Sequence, residues 1–372
     1  IDFGYSKALE ESIRIWGKER ILSDVVWVIR SYRPDVVVMR FTPTQGGHGN
    51  HTSSAALAEE AYGAAGDPLR FPEQLKFVQI WKPTRLLWNV FRFQQSDRPA
   101  KPDSAVAIDL GMYSPVLGES FTEIAGRSRS MHKSQGFGAG QNRGEFINYF
   151  QHVAGEMAGA DLFDGVNASW SRVAGGESVA KLLGDAYRMF DEENPAKSLP
   201  LLLRAYGEIE KLNKDPWIQV KKRELVDVIK LCGGLWLDAL SVDNYGVPGG
   251  EIKITGSALN RSPYPFRLTK IVSPFGRFDT TLNVQLQSNQ PVQLVFALKL
   301  PKDLRYSQPY WLVEPSDLGA YRIPRQELVG QPQNVPPLTV SMTLESNDGA
   351  MTFEVPVRFR GVDPVEGEQY RP

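Results

Sequence analysis

The chain has 372 residues, with 42 Lys and Arg against 43 Asp and Glu and a net charge of −1. That balance lacks the electrostatic footprint of a nucleic-acid binder or a polybasic membrane patch. The 42% apolar and 23% charged content is that of a globular protein long enough for two or three domains. One Cys and four His exclude a disulfide framework and every multi-cysteine metal site, so a bound metal would need His and carboxylates.

No apolar run reaches the roughly 18 residues of a membrane span. The first residue is Ile1 and not Met, and a fragment or processed product is expected.

Residues 1 to about 135 alternate helix-like and strand-like stretches, which argues α/β. Ile21, Leu22, Val25, Val26, Val28 and Ile29 share one helical face within 19–32, and Arg33-Pro34-Asp35 breaks the helix. Val36–Met39 is an unbroken apolar run, as expected of a strand covered on both faces. A Gly-rich loop with His48 and His51 follows, and Thr52 or Ser53 is placed to cap an Ala-rich helix that runs to Ala65. Strands are predicted at Arg85–Val90 and Ala105–Leu110.

From about 143 to 245 the spacing predicts helices. Val179 to Phe190, Leu199 to Ile209 and Leu225 to Trp236 each repeat the i, i+3, i+4, i+7 pattern. Cys232 lies on the last stripe and reads as a small buried hydrophobe. His152 falls in this helical zone. Beyond Gly249 the period changes to two, most clearly in Leu338/Val340/Met342/Leu344, a turn at Asn347-Asp348-Gly349, and Met351/Phe353/Val355/Val357. An antiparallel β-sandwich is predicted there. The expected domains are 1–135, a helical module at 136–245 and a β-domain at 246–372.

The chemistry concentrates in 35–75. In open α/β sheets ligands bind beyond the carboxyl ends of strands, where His48 and His51 stand, and Gly46, Gly47 and Gly49 permit a close backbone approach. Residue types alone leave two readings, a metal site or a solvated loop whose histidines hydrogen-bond locally. Gly136–Gly140 superficially matches a dinucleotide loop but lacks the preceding strand, so a plain turn is expected. Tyr306, Tyr310 and Trp311 read either as a sugar-stacking platform or as packing.

Arg33-Pro34-Asp35 through Phe71-Pro72-Glu73-Gln74-Leu75 resembles the second half of the PIG-L/LmbE family of zinc-dependent N-deacetylases. That family has a strand, a His-x-Asp-His-type loop, an Ala-rich helix and an Asp-Pro…Phe-Pro-Glu-Gln run. Arg129–Gln135 is similar to its His-x-Ser-Gln helix, and Ser307–Leu312 and Gly367–Pro372 are similar to stretches of long bacterial members. The resemblance implies a Rossmann-like α/β domain holding Zn²⁺, followed by the helical module and the β-sandwich. His51 is implied as a metal ligand and His48 as the catalytic group that stabilises the oxyanion or protonates the leaving amine. Asn50, where many relatives have Asp, and His132 are implied beside the substrate or behind the metal ligand. The remaining ligands and the general base belong to an Ala-His-Pro-Asp-Asp-Glu motif that this sequence does not contain, so they are expected upstream of residue 1.

The implied partner is an N-acetylated sugar or glycoconjugate, with the missing N-terminal segment or other subunits beside it. Neither nucleic acid nor a membrane span is expected. The implied activity is deacetylation of an N-acetylglucosamine-type amide by an exported protein, with this piece inactive alone. The alternative is a non-catalytic exported scaffold or glycan-binding protein with a degenerate deacetylase domain.

Overall fold

The computed structural model describes residues 5–90, 102–133, 138–213, 215–273, 275, 278–317 and 320–371. The chain is multidomain with mixed α and β content. It divides into two compact units, one of Ile1–Val166 with Tyr310–Pro332, the other of Asn167–Pro309 with Gln333–Pro372.

In the first unit, α1 (Leu9–Trp16) and α2 (Lys18–Tyr32) precede β1 (Val36–Met39), α3 (Gly49–Ala64) and β2 (Arg85–Val90). Next come β3 (Ala105–Asp109), a ribbon of β4 (Tyr113–Ser114) and β5 (Glu119–Ser120), α4 (Phe121–Ser130) and β6 (Ile147–Gly155). The main sheet has the order β1-β2-β6-β3. Strand β1 runs parallel to β2, with Val36 opposite Arg85 and Met39 opposite Trp88, whereas β6 is antiparallel to both β2 and β3.

Helix α3 is apolar on two sides because it serves two cores. Leu57, Ala61 and Ala64 meet Leu22, Val26 and Ile29 of α2, while Ala55 and Tyr62 meet Met39 and Leu86 of the sheet. The opposite sheet face carries Leu87, Val106 and Phe150.

Long polar side chains close the loops of this unit. Arg30 is fully buried. Its guanidinium donates to the carbonyls of Ala64, Ala65, Asp67, Arg70 and Phe71 and to Gln74 Oε1, at 2.8–3.3 Å. Gln74 Nε2 in turn donates to Ser23 O at 2.8 Å. One side chain thus gathers the carbonyls at and beyond the end of α3, several of which also accept a backbone N–H. Arg85 ties β2 to the carbonyls of Leu162 and Asp164 in the same manner.

In the second unit, α5 (Glu177–Arg188), α6 (Leu199–Ile209) and α7 (Pro216–Cys232) lead into β7 (Leu235–Ser241), β8 (Glu251–Asn260), β9 (Arg267–Val272), β10 (Asp279–Gln285), β11 (Val292–Lys299), β12 (Thr339–Ser346), β13 (Gly349–Asp363) and β14 (Gly367–Arg371). The strands follow one hydrogen-bonded path, β10-β9-β12-β13-β7-β8-β11, with β14 on β13. Strand β13 pairs with β12 along its first half and with β7 and β14 along its second, so the sheet curls into a half-barrel. Helices α5 to α7 and the strands share a single apolar core, from Val179, Leu199 and Ile229 to Ile254, Leu298 and Met342.

The chain passes between the units at Val166/Asn167, and Tyr310–Pro332 returns to the first. Several expectations need correction. Residues 147–155 are strand β6 and not helix, which puts His152 on a strand opposite Leu87. Helix α7 stops at Cys232, and Leu235 and Trp236 belong to β7 because Gly234 takes a left-handed φ of 55°. Strand β1 lies at the end of the sheet order, with Val38 44% exposed, so it is not covered on both faces. The hairpin at 338–357 has the expected register, with Val340 opposite Val355 and Met342 opposite Phe353. Among the described residues, no helix is long and apolar enough to cross a membrane.

Candidate functional site

The site stands beyond the carboxyl end of β1, where the chain crosses Phe41 to Gly47 and enters α3. Helix α3 begins four or five residues earlier than a cap at Thr52 or Ser53 predicted. Its N-cap is His48, with extended backbone and no side-chain cap. His51 therefore sits in the first turn, and Thr52 and Ser53 are helical. The Ser53 hydroxyl donates to Leu9 O at 3.0 Å, and that of Thr52 to Gly49 O at 3.1 Å.

The turn is held against the segment before α1. Gly49 N–H donates to Ser6 O at 3.0 Å, and a Cβ on Gly49 would lie 2.1 Å from Ala8 O. Only glycine allows that approach. Asn50 Oδ1 accepts from the hydroxyls of Ser6 at 3.0 Å and Ser12 at 2.8 Å, both fully buried serines 2.6 Å apart. Asn50, expected to orient a histidine, instead joins the start of α3 to α1.

The histidines are arranged by rings and by one carbonyl. His51 stacks on Phe41 with centroids 4.0 Å apart and planes 6° from parallel. His48 lies 3.7 Å away, tilted by 35°, and Tyr5 lies 5.2 Å beyond His48. His51 Nδ1 is 2.6 Å from Gly46 O. A carbonyl can only accept, so in the neutral ring Nδ1 carries the proton and Nε2 the lone pair. His48 Nδ1 is buried and has no hydrogen-bond partner among the described residues. Burial first, and the neighbouring His51 second, push the His48 imidazole below the usual histidine range. That lowering favours the neutral ring.

His132 lies elsewhere in the chain's local structure. It follows α4, is exposed, and its N–H donates to Arg129 O at 3.1 Å; it is not among the ring partners of His48 or His51. Ser134, Gln135, Gly136 and Phe137 lie outside the described residues. On the sheet face opposite α3, Arg40 donates to Asn89, whose Nδ2 donates to Asn148 Oδ1 at 3.0 Å. Burial, then the charge of Arg129, lowers the Arg40 pKa from its ordinary value. Tyr310 packs edge-on against Trp311, and its hydroxyl donates to Gln331 O at 2.7 Å.

His51 meets the requirements of a metal ligand, with one ring nitrogen bare and the other held by a backbone carbonyl. Among the described residues no group of three His, Cys, Asp or Glu is placed to hold an ion, and one histidine ligand does not make a metal site by itself. Residue types alone did not point to Phe41, Tyr5, Ser6 or Ser12. Phe41 was accessible through strand alternation with Met39; the serines left no signal, because their partner is some forty residues away.

No family model matches the sequence, and no curated protein does. Solved structures give remote likenesses. The crystal structure of Spo0M, a sporulation control protein from Bacillus subtilis, is similar at 13% identity over 33% of this chain and 49% of its own, with a TM-score of 0.18. The Pseudomonas fluorescens alkylpurine DNA glycosylase AlkC, bound to DNA containing an abasic site analog, is similar at 14% identity over 43% and 46%, with a TM-score of 0.17. The chain spans about half the length of each. Likenesses this weak carry no argument for fold or activity.

Proposed function

We propose that the chain is the later part of a PIG-L/LmbE-like zinc-dependent deacetylase that hydrolyses the N-acetyl amide of an N-acetylglucosamine-type substrate. The observation that carries the reading is His51, whose Nδ1 is bound to Gly46 O so that Nε2 presents its lone pair beyond a strand end. In this reading His51 Nε2 ligates the metal. His48, tilted against His51 with an unsatisfied Nδ1, hydrogen-bonds the oxyanion or passes a proton to the leaving amine. Zinc, when bound, supplies a water of pKa near ~7 and a Lewis acid for the amide carbonyl. The other ligands and the base come from an Ala-His-Pro-Asp-Asp-Glu-type segment outside this sequence.

In fold terms the proposal includes a Rossmann-like, LmbE-type first unit and a sandwich in the second, in an exported protein. The parallel β1–β2 pair with α3 between its strands supports the first, and β13, whose halves pair with different neighbours, supports the second.

The test uses the complete gene product. His51→Ala is expected to lose bound zinc, and His48→Ala to keep zinc but lose amide hydrolysis. Zinc content unchanged in His51→Ala would refute the ligand assignment. One observation favours a second reading, a non-catalytic scaffold or glycan-binding protein: Asn50 is committed to packing by two buried serines and carries no charge. A complete product that binds a glycan but holds no zinc would support it.

A further inference from the structure

We propose that Phe41 is a positioning residue that, together with the Gly46 carbonyl, holds His51 in its Nδ1–H form with Nε2 presented. The metal arm of this inference rests on the zinc reading above; the positioning itself does not. An imidazole beyond its Cβ has two torsions to fix. The Phe41 ring, 4.0 Å away and 6° from parallel, fixes the plane of His51. The 2.6 Å contact of Nδ1 with Gly46 O fixes its rotation within that plane. His48 also lies against the ring, 3.7 Å away and tilted by 35°.

Phe41 is itself anchored, packed against the cluster of Met39, Ala55, Tyr62 and Leu86. The backbone permits the arrangement because residue 46 is glycine, where a Cβ would lie 2.9 Å from His51 Cβ. Both constraints act before any ligand arrives, so the ring loses little further freedom on binding. Without the aromatic plane the ring turns about Cβ–Cγ. The Gly46 bond is then shared with other orientations, and the proton redistributes between the two nitrogens.

Two readouts on wild type, Phe41→Tyr and Phe41→Leu test this. The first is the ¹⁵N signature of His51 in the metal-free chain at mildly alkaline pH, where an imidazole is neutral. Wild type and Phe41→Tyr are expected to show the Nδ1–H tautomer and Phe41→Leu a mixture. The second is the affinity of the complete gene product for Zn²⁺ alone, measured against a chelator. Phe41→Leu is expected to weaken it on the order of 10- to 100-fold, as loss of a ligand's supporting partner does, and Phe41→Tyr to restore it.

An unmixed Nδ1–H tautomer in Phe41→Leu, or a mixture already in wild type, overturns the inference. If the complete product binds no Zn²⁺, the zinc reading fails and the tautomer alone decides the positioning role. Should Phe41→Leu fail to fold, Phe41→Met replaces it, being apolar and adaptable without an aromatic plane.

Discussion

The two units solve the same problem of loop closure differently. In the first, three modest apolar clusters surround α3 and the sheet, and long buried polar side chains, Arg30 and Arg85, draw loop carbonyls together. In the second, one continuous core runs from the helices through the curled sheet. Apolar burial is non-directional and forgives shape changes, whereas a guanidinium serving six acceptors is specific to its geometry. The first unit should therefore depend on single residues, and the second on total packed volume.

The largest effect expected to break or sharpen this contrast is at Arg30. Arg30→Lys cannot reproduce the planar fork and gives up most of six buried hydrogen bonds, so urea unfolding of the first unit should show a loss of roughly 3–5 kcal/mol. Ile254→Leu, at a fully buried position of the second core, should cost less than about 1.5 kcal/mol. Equal costs would dissolve the distinction. Gly49→Ala comes next. The added Cβ meets Ala8 O, and overpacking of this kind costs about 1–3 kcal/mol, with the largest chemical-shift changes expected at Ser6, His48 and His51.

The smallest effect is a pH dependence in the second unit. The Tyr264 O–H donates to Asp348 Oδ2 at 2.8 Å, its oxygen lies 3.0 Å from the Ser346 hydroxyl, and burial chiefly pushes its pKa up to about 12 from 10.0. Below pH 10 the neutral phenol is present in both folded and unfolded chains, and its stabilising contribution is complete. Between 10 and about 12 the unfolded chain loses the proton first, so stability falls as pH rises. Ultraviolet titration of wild type against Tyr264→Phe checks this, and a wild-type phenol titrating near 10 would contradict it.

What was readable in the residues follows the range of the forces involved. Helix α2 and its stop at Arg33, the β12–β13 register, and the apolar stripes of α5 and α6 are visible because periodicity and turn chemistry act within a few residues. Strand β6 was hidden because its partners, β2 and β3, are far away in sequence and its short run also fits a helix. The end of α7 was hidden because Leu235 and Trp236 continue the helical stripe even as Gly234 turns the chain.

The site divides along the same line. The sequence by itself determined that two histidines stand three apart in a Gly-rich loop after an apolar strand, a pattern of purely local chemistry. Only the tertiary structure decided that Asn50 serves two buried serines, that Gly46 O selects the His51 tautomer, and that Phe41 sets the plane of its ring. Those choices depend on which surfaces α1, β1 and α3 bring together, and a hydrogen bond from Ser12 to Asn50, or a ring contact made in an irregular loop, leaves no period in the chain.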